Sequence, residues 1–335
     1  MSDRAEITLE ADGREVRISH PDKVWFPDDG VTKGDVAAYY LEVGAAIVPH
    51  LHARPMNLKR MPDGIGTSGF YQKSRPKNAP DWVGSATVAM PSGTPKLELT
   101  VDDVASLLWT VNIGVIDLNP WAVTRADLDR PDELRIDLDP DEPYGWDDVR
   151  FAALAAREVL AEHDLTGYVR TSGGRGMHVT VPIEPVHEFL VVRRAAVALA
   201  RELERRHPGR ISASWWKEGR NGVFVDFNQN LRDRSLASAY SVRPRPGARV
   251  ACPVAWDEVP ECELGDFTTT TVPVRLATTG DPHAAMQDHR GSLASLLALA
   301  DRDEAAGLPD APYPPHFKKM AGEAPRVAPS RRRKS

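Results

Sequence analysis

The 335-residue sequence predicts a mixed α/β (α+β) fold, with a β-sheet core flanked by helices. Apolar residues recur every three or four positions over 33–49, 145–163, 187–206 and 291–305, the period of a helix with one buried face. Short runs alternating apolar and polar residues, at 133–139, 167–171, 177–182 and 222–228, have the period of a strand. Helical and strand segments thus interleave. With 41% hydrophobic and 27% charged residues, the chain has enough apolar surface for one large core or two modest ones.

The clearest helical run is the last, where Leu293, Leu296, Leu297 and Ala300 follow a Ser292 cap. No Pro/Gly/Ser-rich linker divides residues 1–305, which read as one folded unit with two lobes. From residue 306 the sequence turns Pro-rich and then basic, with too few large apolar side chains for a core, so 306–335 reads as a flexible tail. Its Lys318, Lys319 and Arg331 to Lys334 suit a solvated terminus or a DNA contact.

A net charge of −6 argues against a protein that coats nucleic acid by charge alone. Any such contact must be local. The two cysteines, Cys252 and Cys262, fit neither a disulfide framework nor paired zinc ligands. The longest charge-free stretch, Val104 to Ile116, is well short of the roughly 20 residues that span a bilayer, so no membrane segment is expected. Asp3, Arg4, Glu6, Glu10, Asp12 and Glu15 make the N-terminus unlike a secretory signal, which points to the cytoplasm.

Three strands carry the chemistry. In ELRIDLDP, Leu134, Ile136 and Leu138 share one parity, and Arg135, Asp137 and Asp139 the other. Both carboxylates therefore leave one face, their Cα atoms roughly 6.5 Å apart, a spacing that suits shared metal ligation. Pro140 cannot continue a central hydrogen-bond ladder, which places the acids near a strand end. In VFVDFNQN, Asp226 is the lone acid of an apolar strand, and an ionised carboxylate there needs a cation nearby. A metal ion, Arg or Lys would each serve.

The third piece, YVRTSGGRGMHVTVP, passes from strand to strand through a Gly-rich turn. Gly173, Gly174 and Gly176 permit close backbone approach, and Ser172 and Arg175 supply a hydroxyl and a guanidinium suited to phosphate oxygens. It lacks the GK[ST] of a Walker A loop. His178 shares parity with Thr180, on the polar face. Taken singly, the DxD is also ordinary edge charge, SGGRG a hairpin turn, and Asp226 a partner for Arg220.

Together these residues suit two divalent ions that activate a 3′-hydroxyl and stabilise a triphosphate during in-line displacement. Oxygen ligands favour Mn²⁺ or Mg²⁺ over zinc. Arg220, Arg232, Arg234, Arg243 and Arg245 surround Asp226 in sequence and suit a triphosphate. Lys23, Arg54, Lys59, Arg60 and Lys73 lie among Phe70 and Tyr71, a mixture that suits a phosphate backbone with stacked bases and is equally compatible with an aromatic core pair.

With DKVWFP, RPMNLKRMPDG, GFYQK, RIDLDP, TSGGRGMH, VFVDFNQN and AYSVRPR in this order, the chain resembles the polymerase domain of bacterial DNA ligase D over about residues 16–300. That family is a branch of the archaeo-eukaryotic primase superfamily acting in nonhomologous end joining. The resemblance implies a primase-like fold and a Mn²⁺-favouring polymerase that prefers ribonucleotides at gaps and broken ends. By resemblance, Asp137, Asp139 and Asp226 are the metal ligands, and Ser172, Arg175, Gly176 and His178 the nucleotide-binding loop. Arg220, Gln229, Arg234 and Arg243 contact triphosphate or order the metal site, Lys23 and Lys33 hold a downstream 5′-phosphate, and Phe70 or Tyr71 stacks on a base. Two positions depart from the pattern: Asn119, near the incoming nucleotide, replaces a His, and His20, beside the 5′-phosphate, replaces an Asn. No KxDG ligase motif occurs, so strand joining is expected from a separate ATP-dependent ligase, with a Ku-like partner. Two other readings remain open, a DxD glycosyltransferase and a non-catalytic DNA-end-binding module.

Overall fold

The computed structural model describes residues 5–89 and 94–314. The chain begins with the strands β1 (Glu6–Ala11), β2 (Arg14–Ser19), β3 (Val24–Phe26) and β4 (Val31–Thr32), then helices α1 (Lys33–Glu42) and α2 (Gly44–Leu51). There follow β5 (Met56–Arg60), β6 (Phe70–Gln72), β7 (Ser85–Val88), β8 (Lys96–Leu99), α3 (Val104–Asn112) and β9 (Val115–Pro120). Beyond these come β10 (Glu133–Pro140), α4 (Trp146–Glu162), β11 (Tyr168–Thr171), β12 (Met177–Pro182) and α5 (Phe189–Arg206). The chain continues with β13 (Ile211–Ser212), β14 (Val223–Val225), α6 (Thr271–Thr279) and α7 (Ala294–Ala305). No helix among the described residues is long and apolar enough to cross a membrane.

The elements gather into two compact units. The first comprises the chain to Pro131 with Arg170–Gly174 and Ser235–Gln287, and the second holds Asp132–Val169, Arg175–Arg234 and the chain from Asp288. The first unit is built on an antiparallel sheet in the order β6-β5-β9, with hairpins β1-β2 and β7-β8. The sequence predicts one helix over 33–49, and the structure divides it at Val43. The reason is packing: a Cβ at Gly44 would lie 2.7 Å from Val104 Cγ2, so this position approaches α3 more closely than any other residue type allows. Thr32 and Asp35 start α1 with a capping box. Helix α3 was not expected from periodicity, since Ala105 to Val111 are buried all round; its signal is the Asp103–Ser106 cap. Tyr40 fastens α1 to this unit, donating to Ile116 O at 3.1 Å and accepting from Val242 N at 2.9 Å.

The second unit carries a sheet in the order β11-β12-β10-β14-β13. Its middle strand β10 runs antiparallel to β12 and β14, and β13 joins β14 in parallel. The apolar parity of β10, Leu134, Ile136 and Leu138, is fully buried. Small residues of α4 (Ala152, Ala153, Ala156) and branched ones of α5 (Val192, Leu199, Leu203) fill the core with it. Predicted helices and strands of this unit lie within a few residues of their observed ends, as expected where burial on one face imposes a clear period.

The expected tail is different at its start. Residues 315–335, with their basic clusters, lie outside the described residues, but Asp310–Tyr313 are packed on α5. The cause is Arg193, whose side chain is 1% exposed. A buried guanidinium must be given acceptors. It donates from Nε to Asn228 Oδ1 (2.8 Å), from Nη1 to Asp310 Oδ1 (3.0 Å), and from Nη2 to Ala311 O (2.7 Å) and Pro312 O (3.1 Å). The Phe227 and Tyr313 rings lie 5.3 and 3.9 Å from it. Replacing Arg193 by Ala strands these acceptors, and should lower stability by about 3 kcal/mol. Denaturant unfolding of the purified variant measures this; an unchanged midpoint would contradict it.

Candidate active site

Alternation along β10 sends Asp137 and Asp139 to the same face. Asp137 lies opposite His178 of β12, and Asp139 opposite Phe224 of β14. The loop before β12 can cross β10 only because residue 176 is glycine: a Cβ there would stand 2.2 Å from Leu138 O. The His178 ring thereby places Nε2 3.4 Å from Asp137 Oδ1.

Asp226 arrives differently from the expectation. The sequence predicts a strand through 228, but β14 ends at Val225. Asp226 N donates to Asp137 O at 2.9 Å, and its Oδ1 accepts from Asn228 N at 3.0 Å, which turns the chain into the 3-10 turn Phe227–Asn230. An Asp side chain that caps its own following backbone competes with strand pairing, and here it wins. Asn228 turns inward to Arg193 and is 2% exposed. Gln229 points to the acids. Its Nε2 donates to Asp137 Oδ2 at 3.2 Å and to Asp226 Oδ2 at 3.1 Å, joining two carboxylates through one amide.

The electrostatics are poised against these carboxylates. Burial raises the Asp139 pKa above the ordinary range; Arg175, Arg220 and Lys217 pull it back, and Asp141 adds to the rise. Burial likewise raises Asp226, opposed by the Asn228 N–H, Arg234 and Arg220. Arg220 is not the ion-pair partner of Asp226. It donates to Asp141 Oδ2 at 2.6 Å, and its guanidinium stacks 3.7 Å from the Phe224 ring centroid. Asp141 escaped the sequence reading, although it continues the acidic run DLDPD.

The first unit presents a second polar face. Tyr71, Lys59 and Asp117 are register partners across β6-β5-β9, followed by the pair Asn57 and Asn119. Lys59 Nζ lies 5.7 Å from the Tyr71 ring, and exposed Phe70 lies under Arg60 at 5.3 Å. Asn119 is 8% exposed, and its Nδ2 has no hydrogen-bond partner among the described residues. Asp117 holds Arg243 at 3.0 Å. Gly173, at φ +64°, leaves room for that arginine, since a Cβ would meet Arg243 Cγ at 2.4 Å. Ser172 Oγ accepts from Gly174 N at 3.1 Å. Asp117 was missed, though it gives the same signal as Asp226, a single acid in an apolar strand.

Elsewhere in this unit His20 is exposed and Lys23 pairs with Asp63. Lys33 is 5% exposed, with Nζ on Ser19 O (2.7 Å), Asn112 O (2.8 Å) and Asn112 Oδ1 (3.1 Å). Burial, with help from the charge of Lys23, brings its pKa down to about 8.

Among the described residues no three His, Cys, Asp or Glu side chains stand in a ready-made metal cage. The donor chemistry nonetheless fits a hard divalent cation: carboxylate oxygens, with burial disfavouring charge on Asp139 and Asp226, and with Asp137 and Asp226 drawn to the single Gln229 amide.

Residues 32–283 match the family model of the LigD primase-polymerase domain. The multifunctional non-homologous end joining protein LigD of Pseudomonas aeruginosa is 33% identical over 296 residues, covering 87% of this chain and 35% of that protein. Its namesake in Mycolicibacterium smegmatis is 30% identical over 312 residues, covering 91% and 40%. The chain thus spans little more than a third of these relatives. The polymerase domain of Mycobacterium tuberculosis ligase D, solved in complex with DNA, superposes with a TM-score of 0.76 at 28% identity, covering 82% of this chain and 98% of that one. The mixed α/β architecture is the primase-like one, and primase-polymerases are metal-dependent nucleotidyltransferases. On the strength of this match across three quarters of its length, the chain belongs to the LigD primase-polymerase family.

Proposed function

We propose that this polymerase adds nucleotides, preferring ribonucleotides, to a 3′-hydroxyl at gaps and broken DNA ends during nonhomologous end joining, with Asp137, Asp139 and Asp226 holding two Mn²⁺ or Mg²⁺ ions. The observation that carries the reading is that the Gln229 amide draws the Asp137 and Asp226 carboxylates together, on the face of β10 that also carries Asp139, in a chain of this family. Its catalytic domain spans residues 1–305 together with the Asp310–Tyr313 segment packed on α5, acting in the cytoplasm with an ATP-dependent ligase activity and a Ku-like protein. The relatives' names support the repair setting.

Divalent ions held by Asp137, Asp139 and Asp226 would lower the pKa of the attacking hydroxyl and neutralise charge on the phosphates. The protein's own groups do the rest. Gln229 keeps the Asp137 and Asp226 carboxylates oriented, and the His178 ring fixes the other Asp137 oxygen. Arg175, Arg220 and Arg234 supply positive charge toward a triphosphate, with Ser172 and the backbone of Gly176 lining the loop. In the first unit, Arg243 and Lys59 serve the nucleotide, and the unpaired Asn119 amide donates to a sugar hydroxyl. Phe70 or Tyr71 offers a stacking surface. Lys23, Lys33 and His20 receive a 5′-phosphate.

Primer extension on gapped, 5′-phosphorylated DNA with Mn²⁺ and ribonucleotides tests the proposal. Asp137→Ala, Asp139→Ala and Asp226→Ala should each reduce incorporation about 100-fold or more while folding persists. Wild-type incorporation by any of them removes that acid from the metal set. The 5′-phosphate reading has its own signature. The ammonium charge of Lys33, its N–H groups already donated to Ser19 and Asn112, attracts phosphate without a direct bond, so preference for 5′-phosphorylated over 5′-hydroxyl gaps should fall as pH rises through about 8. Titrated by fluorescence anisotropy, the loss between pH 7 and 9.5 should be roughly fivefold to tenfold. A preference constant over that interval refutes the role of Lys33.

A further inference from the structure

We propose that Asp310–Tyr313 act as a strap that positions the metal-binding turn, so that the affinity of the active site for its cation depends on this C-terminal segment. The proposal rests on the reading of Asp137, Asp139 and Asp226 as the metal centre. It adds Arg193, Asn228, Asp310 and Tyr313 as positioning residues, of which the last two lie beyond the residues that match the family.

An unbroken series of hydrogen bonds connects strap and site within the second unit. Arg193 Nη1 and Nη2 are spent on Asp310 Oδ1, Ala311 O and Pro312 O. Its remaining side, Nε, donates to Asn228 Oδ1 at 2.8 Å, and Asn228 Nδ2 donates back to Pro312 O at 3.2 Å. The Asn228 side chain is thereby fixed at both ends. Its backbone N–H is the donor that Asp226 Oδ1 accepts, and the next residue is Gln229, whose amide joins Asp226 to Asp137. The bonds from Arg193 to Asn228 Oδ1 and to Ala311 O are buried, and the others in the series are part-buried.

The geometry also explains why the strap matters more than its length suggests. A four-residue 3-10 turn has poor intrinsic hydrogen-bond geometry and little stability of its own. Within this turn Gln229 N reaches Asp226 O only at 3.4 Å. Its conformation is therefore set by what its side chains reach: Asn230 pairs with the backbone of Arg135 on β10, while Asn228 and the Phe227 ring rest on Arg193. The Tyr313 ring lies 3.9 Å from the same guanidinium, while its hydroxyl donates to Asp310 Oδ2 at 2.9 Å. Loosening the strap frees Arg193 to move, then Asn228, then the acid and amide that orient the carboxylates. Affinity for a cation suffers first, because several oxygens must be held together before it arrives.

The test uses the full chain and Mn²⁺ as probe. Binding is followed by electron paramagnetic resonance of free Mn²⁺, without nucleotide or DNA. The double variant Asp310→Ala/Tyr313→Ala, whose changes lie far along the series from the carboxylates, should bind Mn²⁺ at least fivefold more weakly. The Mn²⁺ concentration that half-saturates primer extension should rise in proportion, with the rate at saturating Mn²⁺ little changed. Tyr313→Phe, which keeps the stacking ring, should recover most of the affinity. Wild-type Mn²⁺ affinity in the folded double variant overturns the proposal. Asp226→Ala in the parent chain tests the metal reading separately. If that change leaves Mn²⁺ binding intact, amide exchange over Asp226–Leu231 decides: acceleration in the double variant supports positioning by the strap, and unchanged exchange overturns it.

Discussion

Carboxylates crowded at the end of β10 and β14 impose the requirement that the rest of the second unit answers. Burial disfavours the charge of Asp139 and Asp226, and their proximity to one another adds to the cost. Burial of this kind disfavours the charged form. Arg175, Arg220 and Lys217 oppose that rise at Asp139, and Arg234, Arg220 and the Asn228 N–H oppose it at Asp226. Arg220 is itself held by Asp141 and by the backbone carbonyls of Ser214 and Trp215, and Lys217 by Asp141. The arrangement keeps a strained cluster intact, and a divalent ion would relieve it, consistent with sites being built at some expense to stability.

The first unit solves a different problem, the support of cations on a sheet face. Lys59 lies between the Tyr71 ring and Asp117 in register, and Arg243 is fastened to Asp117 from another segment. Lys33 is the extreme case, with carbonyl and amide oxygens replacing the water it has lost. Each cation is oriented by neutral or anionic groups, which reduces the ordering a phosphate would otherwise have to impose on it.

Strand alternation made Asp137 and Asp139 legible from the sequence, because one buried face fixes the orientation of the other. The helices of the second unit were legible for the same reason. Asp226 was found but its setting was not: periodicity cannot tell when a side chain will cap its own turn instead of continuing a strand. Asn228 shows the consequence, since its partner Arg193 lies on a helix thirty-five residues away in sequence. Helix α3 was hidden by uniform burial, the break in α1–α2 by a contact with Val104, and the packing of Asp310–Tyr313 by a single buried guanidinium. In each case the deciding partner is distant along the chain, where local pattern carries no information.

Ionic strength separates the cations of the first unit into two populations. Arg243 is paired with an acid that is 4% exposed, so mobile ions scarcely reach the pair. Lys23, with a side chain 40% exposed against a 65% exposed Asp63, sits where counterions compete freely. Salt thus acts on the second before the first. A rise in salt would therefore loosen Lys23 from Asp63 while Arg243 kept its place beside the sheet.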